Sequence, residues 1–224
     1  MTNPLRKYFD EHNQGAGIWK WNHYFDIYDR HFSKFRGREV NIMEIGIYAG
    51  GSLEMWRDYF GPKANLYGVD IQDACKACEK EGTRVFIGDQ ADPVFWAEVK
   101  DQIPKLDVVI DDGGHTPEQQ RVSLDQLLPH LRAGGVYCCE DIHGFPNEFA
   151  AYVHKLSHRL NDSRNIQEHK ENNDRSLAGA TNPFQARINS IHLYPFVAVI
   201  EKNDASVAEF VAPKRGTIWE YEQK

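Results

Sequence analysis

The chain has 224 residues, 41% hydrophobic and 26% charged, the balance of a globular domain large enough to bury a real core. A net charge of −7, with no Lys and Arg cluster interleaved with aromatics, gives no footprint for nucleic acid. No apolar run reaches membrane-spanning length and the start Met1-Thr2-Asn3-Pro4 is polar, so the default expectation is a cytoplasmic protein without nucleic-acid or membrane partners.

Residues 18–35 carry Trp19, Trp21, Tyr24, Phe25, Tyr28 and Phe32 at mixed helical spacing, an aromatic belt read as packing in preference to a ligand cage. A short apolar strand at 40–45 runs into Gly46. The helix that follows over 52–59 places Leu53, Trp56 and Tyr59 at helical spacing and stops at Gly61-Pro62. Strands are predicted at 66–71 and 84–87, then a helix opened by Asp92-Pro93. The run 106–110 is apolar apart from Asp107, as expected of a strand buried on both faces. Pro117 opens a helix with Val122, Leu124, Leu127, Leu128 and Leu131 inward, expected to end at Gly134-Gly135 before a fifth strand at 136–139. Strands alternating with helices predict an α/β fold, a Rossmann-like doubly wound sheet, mostly parallel, with helices on both faces. Two β-rich runs around Tyr194-Pro195 predict an antiparallel hairpin at its C-terminal edge.

These elements form one domain over 1–224. It divides into a helical segment (1–38), a core (39–145), a helix with a polar segment (146–185), and a hairpin and tail (186–224). The Asn-rich stretch 161–185 is either a loop or a substrate lid. Cys75-Lys76-Ala77-Cys78 has C-x-x-C spacing, but Cys138 and Cys139 are adjacent on a strand and make a poor second half of a zinc site. The cysteines are therefore read as free thiols.

Chemistry concentrates at strand ends. Glu44-Ile45-Gly46-Ile47-Tyr48-Ala49-Gly50-Gly51 is a glycine-rich strand-to-helix turn. It lacks the Lys of a phosphate-binding loop and departs from G-x-G-x-x-G at Ile45 and Tyr48. Asp70, ending the second strand, can accept both hydroxyls of a ribose, and Asp89 after the third can accept from an adenine amino group. Three acidic strand ends without a phosphate site suit a cationic nucleoside such as S-adenosylmethionine. The predicted cofactor contacts are Glu44, Gly46, Tyr48 and Ser52, Asp70 and Ile71, Asp89 and Gln90, and Asp111. Asp111-Asp112-Gly113-Gly114-His115 ends the fourth strand with two carboxylates and an imidazole, and Glu140-Asp141 ends the fifth. Together they suggest a hard-metal site beside a general base. His143 is read as either a substrate contact or an exposed loop residue.

These stretches, with Lys20-Trp21-Asn22-His23-Tyr24-Phe25, resemble the class I S-adenosylmethionine-dependent methyltransferases. They are more narrowly similar to the Mg²⁺-dependent macrolide-sugar O-methyltransferases of the mycinamicin and macrocin type and to the cephalosporin-hydroxylase-like family. The resemblance implies methyl transfer to a hydroxyl of a sugar or glycosylated small molecule, with S-adenosylmethionine and Mg²⁺ as cofactors. It implies that Asp112 and Asp141 are metal ligands, with a third carboxylate from upstream of the first strand, Asp29 or else Asp26. His115 becomes the base, Asp111 faces the cofactor and Asp112 the metal. Two alternatives stay open: a methyltransferase-like protein that binds without turnover, and a nicotinamide-dependent oxidoreductase. A homo-oligomer is also left open.

Overall fold

The computed structural model of the chain describes residues 3–162, 166–171 and 174–216. Its centre is a seven-stranded sheet in the order β3-β2-β1-β4-β5-β9-β8. The strands are β1 (Asn41–Ile45), β2 (Asn65–Asp70), β3 (Thr83–Ile87), β4 (Leu106–Asp111), β5 (Leu131–Cys139), β8 (Ile188–Tyr194) and β9 (Val197–Lys202). The first five pair in parallel, and β9 runs antiparallel to both β5 and β8. This is the predicted doubly wound sheet with its edge hairpin. Strand order reverses between β1 and β4, so their C-terminal ends flank the crevice where such sheets bind ligands.

The period of two along each strand builds two apolar layers. Ile42, Val108, Ile110, Val136 and Val199 face α1 (Pro4–Glu11), α2 (Tyr24–Phe32) and α3 (Gly51–Phe60), meeting Leu5, Tyr28, Phe32, Trp56 and Phe60. Met43, Ile45, Val109 and Tyr137 face α4 (Pro93–Gln102), α5 (Pro117–Leu127) and α6 (Glu148–Leu160), meeting Trp96, Leu124, Leu127, Phe149 and Val153. Helix starts follow local chemistry. The Asp92 side chain accepts from Val94 N ahead of Pro93, and Thr116 forms a capping box with Gln119 ahead of Pro117.

Three expectations change. Helix α5 ends at Leu127, not at Gly134-Gly135, because Pro129 has no N–H to continue the ladder. The chain makes one tight turn and enters β5 at Leu131. The polar stretch 161–185 contains strands, not a bare loop: β6 (Ile166–Glu171) and β7 (Asp174–Ala180) pair antiparallel, and β10 (Glu209–Ala212) pairs with β7. A backbone ladder needs no apolar alternation, so the composition concealed it; Asn172 and Asn173 lie outside the described residues. The aromatic belt divides as well. Tyr24, Phe25, Tyr28 and Phe32 are core, whereas Trp19 and Trp21 lie before α2 and are exposed. Among the described residues, no helix is long and apolar enough to cross a membrane.

Helix α2 is fastened to the edge hairpin by a polar cluster. His31 Nδ1 lies 2.7 Å from Glu201 Oε1, and its Nε2 is 2.9 Å from the Tyr194 hydroxyl, with the His192 ring at 4.6 Å. Burial holds the His31 imidazole below its usual range; Glu201 opposes the shift, while His192 and Arg30 reinforce it. A depressed folded-state pKa means that the unfolded chain protonates first. The contribution of His31 is therefore full above about pH 6.5 and is lost as pH falls below it. Thermal melting between about pH 7.5 and pH 5.5 should accordingly show a shallower loss of Tm in His31→Gln than in the wild type. Parallel curves would contradict the assignment.

Candidate active site

The C-terminal ends of β1 to β5 open onto one cleft of about 750 Å³. Its first half is shaped by the β1–α3 turn. Gly46 has φ +82°, and a Cβ there would lie 2.0 Å from the Asp112 carbonyl oxygen, so only glycine lets β1 and the end of β4 approach. Tyr48 follows at φ 45° and is 84% exposed, its ring on the rim beside the exposed Ile71. Asp70 closes this half. Its Oδ2 accepts from Ile47 N at 3.1 Å and Tyr48 N at 3.0 Å, and its Oδ1 from Gln72 N at 3.0 Å. Oδ1, with a single donor, keeps a lone pair for a further hydrogen bond. Asp89 lines the same wall while accepting from Ala91 N at 2.8 Å.

The second half is held by one buried ammonium. Lys20 Nζ lies 2.6 Å from Asp112 Oδ2, 3.0 Å from Glu140 Oε2 and 3.5 Å from Glu44 Oε1. Burial alone would lower the Lys20 pKa, but Asp112, Glu140 and Glu44 outweigh it and the pKa stands well above the usual lysine value. Burial pushes the Glu140 carboxyl up, with Lys20 opposing. Its Oε1 is buried without a partner of good geometry.

Asp141 is anchored in the same manner. Its Oδ1 accepts from the Tyr24 hydroxyl at 2.6 Å and from Trp21 Nε1 at 3.1 Å, while its Oδ2 lies 3.7 Å from His115 Nε2. Asp112 Oδ1 lies 4.0 Å from the same nitrogen. Each carboxylate thus has one oxygen tied to the 20–24 segment and the other turned toward His115. Asp112, His115 and Asp141 each bring a ligand-type atom within 4.8 Å of the others. Two open carboxylate oxygens, with Glu140 beside them, are a donor set that fits Mg²⁺, which takes a few carboxylates and keeps several waters. His115 and Asp141 have φ of 58° and 53°, conformations costly for residues with a Cβ.

Of the residues singled out from sequence, Gly46, Tyr48, Ser52, Asp70, Ile71, Asp89, Gln90, Asp112, His115 and Asp141 all line the cleft. Three do not. Glu44 is enclosed, accepting from Ser52 Oγ at 2.6 Å and pairing with Lys20, because its place on β1 turns it toward α3. Asp111 points to the opposite face of the sheet, where it accepts from the Tyr137 hydroxyl at 2.8 Å and Gln90 Nε2 at 3.0 Å; burial pushes its carboxyl up to about 6. It supports the β4 end and does not line the cleft. Asp29 accepts from the Tyr59 hydroxyl at 2.8 Å and Asp26 from Asn3 at 3.0 Å, both away from the cleft. The 20–24 segment therefore contributes a cation and two neutral donors, not a carboxylate. Gln90 lines the cleft but is also a strut, accepting from Gly114 N at 2.6 Å. Sequence reasoning gave no role to Lys20, Trp21 or Tyr24. Apart from Glu44, their partners lie 92 to 120 residues away, and no local spacing encodes such a contact.

No protein-family profile matches the chain. It is 37% identical over 203 residues to the demethylmacrocin O-methyltransferase of Streptomyces fradiae, covering 82% of this chain and 50% of that enzyme. It is 32% identical over 200 residues to the 8-demethyl-8-alpha-L-rhamnosyl tetracenomycin-C 2'-O-methyltransferase of Streptomyces olivaceus, covering 84% and 52%. The solved structure of MycE, a methyltransferase of the mycinamycin biosynthetic pathway in complex with Mg, SAH and mycinamycin VI, matches with a TM-score of 0.68 and 28% identity over 90% of this chain and 53% of that one. The chain spans about half the length of these relatives. With its sheet order and acid-lined cleft, the chain has the Rossmann-like methyltransferase fold and is similar, over about half of their length, to the class I S-adenosylmethionine-dependent methyltransferases that act on macrolide and tetracenomycin sugars.

Proposed function

We propose that the chain is a Mg²⁺-assisted, S-adenosylmethionine-dependent O-methyltransferase acting on a hydroxyl of a sugar or glycosylated small molecule. The observation that carries this reading is the convergence of Asp112 Oδ1 and Asp141 Oδ2 on His115 Nε2, in the same cleft as the acid-lined nucleoside wall. The names of the relatives, sugar O-methyltransferases of macrolide and tetracenomycin biosynthesis, support the acceptor class.

Asp112 and Asp141, with Glu140 beside them, would hold Mg²⁺, which would supply charge stabilisation to an acceptor oxygen, and S-adenosylmethionine would supply the electrophilic methyl. The residues of the chain do the rest. Asp70 and Asp89 stand where the ribose and base edges can be accepted. His115, exposed enough to reach an acceptor, takes the hydroxyl proton as the oxygen–carbon bond forms. Lys20, Trp21 and Tyr24 fix the inner oxygens of Asp112 and Asp141, so both outer oxygens are presented without rotamer search.

A transfer assay with labelled S-adenosylmethionine and a panel of glycosides should give EDTA-sensitive product. Tight binding of NAD with none of S-adenosylhomocysteine would overturn the reading. His115→Ala is expected to lower kcat by about 10²- to 10⁴-fold with S-adenosylhomocysteine affinity unchanged, as isothermal titration can verify; full activity would refute the base role. Lys20→Met leaves three carboxylates without their cation and should cost about 3–5 kcal/mol of stability in denaturant melts. A loss below about 1 kcal/mol would mean that the ammonium is dispensable to the fold.

A further inference from the structure

We infer that Trp21 is the acceptor platform of the cleft, a ring on which the CH-rich face of a pyranose stacks while one of its hydroxyls reaches His115. The inference rests on the sugar O-methyltransferase reading and adds the residue that selects the acceptor. Trp21 lines the cleft and is 50% exposed, yet it is not loose. Its Nε1–H is spent on Asp141 Oδ1, which fixes the indole edge beside the carboxylate and leaves ring surface open to the cleft.

The ring has three aromatic neighbours, of which His143 also lines the cleft. Phe196 lies 5.6 Å from it, centroid to centroid, His23 at 6.2 Å and His143 at 6.4 Å, and Phe196 and His143 meet edge to face at 4.7 Å. Phe196 sits at the tip of the β8–β9 hairpin with φ 64°, where glycine would be free of strain. The Phe196 carbonyl accepts from Ile142 N at 3.0 Å, and the Pro195 carbonyl accepts from His23 Nε2 at 3.1 Å, so the strained tip is tied to both the Asp141 segment and the 20–24 segment. An aromatic residue held at that cost, packed on a half-exposed tryptophan beside the base, is the pattern of a built binding surface. The N–H edge of the indole lies against Asp141, whose other oxygen is 3.7 Å from His115 Nε2, which calls for an acceptor with hydroxyls on its edge and an apolar face. A pyranose has that distribution: its C–H bonds carry the small positive charge that an indole face attracts, and its hydroxyls point outward.

The test is saturation-transfer difference NMR with methyl α-L-rhamnopyranoside, in the presence of S-adenosylhomocysteine and Mg²⁺. Wild type, Trp21→Ala and Trp21→Phe are compared, with catechol as a planar control acceptor. Trp21→Phe removes the N–H donor but keeps a stacking face, which separates the platform from the hydrogen bond to Asp141. Expected are transfer confined to the protons of one pyranose face, affinity lowered roughly tenfold or more in Trp21→Ala, and affinity within about threefold of wild type in Trp21→Phe. Unchanged S-adenosylhomocysteine affinity and Tm in both variants show that the fold is intact. Equal losses in the two variants would show that Trp21 acts only through Asp141, and no loss in either would remove the platform; both results overturn the inference. Preference for catechol over the glycoside overturns the pyranose assignment. A wild type that binds S-adenosylhomocysteine but no glycoside defeats the sugar reading itself, which is distinct from a wild type that binds and a Trp21→Ala that binds equally.

Discussion

Everything at the cleft end of this molecule depends on one ammonium group placed among three carboxylates. Lys20 reaches from a loop before the first strand to the ends of β1, β4 and β5, meeting Glu44 and Glu140 in full burial and Asp112 at the wall of the cleft. Without the cation, three acids at adjoining strand ends would repel one another in a medium that screens poorly. With it, the strand ends close to the spacing the sheet dictates. Removing either sign alone is costly, so the arrangement is maintained as a unit. One positive charge against three acids also leaves the region electronegative, the condition that welcomes a divalent cation next to it.

The cleft is then finished by backbone geometry. Gly46 allows β1 to touch the carbonyl of Asp112, and the four non-glycine residues with positive φ are Tyr48, His115, Asp141 and Phe196 among the described residues. Three of the four, Tyr48, His115 and Asp141, line the cleft. Strain of this kind persists only where packing over-determines it, and here the hydrogen bonds of Asp70, Tyr24 and Ile142 do so.

Much of this was legible in the sequence because it is local. Strand ends read as apolar runs terminating in acids, and Pro117 and Asp92-Pro93 marked their helices, so the sheet and ten of the site residues followed from short-range pattern. What was not legible depends on the third dimension. The pleat turned Glu44 and Asp111 away from the cleft although both end strands, and alternation could be counted only once the layer above each face was known. The family resemblance implies a third carboxylate upstream of the first strand, Asp29 or else Asp26; the helical phase of α2 sends Asp29 to Tyr59 instead. The strands within 161–185 stayed hidden because their pairing is carried by backbone groups, on which side-chain polarity is silent.

The loop that carries Lys20 and Trp21 and leads into Tyr24 has a consequence for cooperativity. It belongs to no sheet, and by its own secondary structure it would be expected to open easily in native-state hydrogen exchange. Opening it, however, exposes Glu44, Asp112 and Glu140 to one another without a counter-charge and frees Asp141 from both its donors. The electrostatic penalty binds an irregular segment into the same foldon as the central strands. Amide protection in 20–24 should therefore be sub-globally coupled to the ends of β4 and β5, so that the site is either wholly assembled or wholly absent.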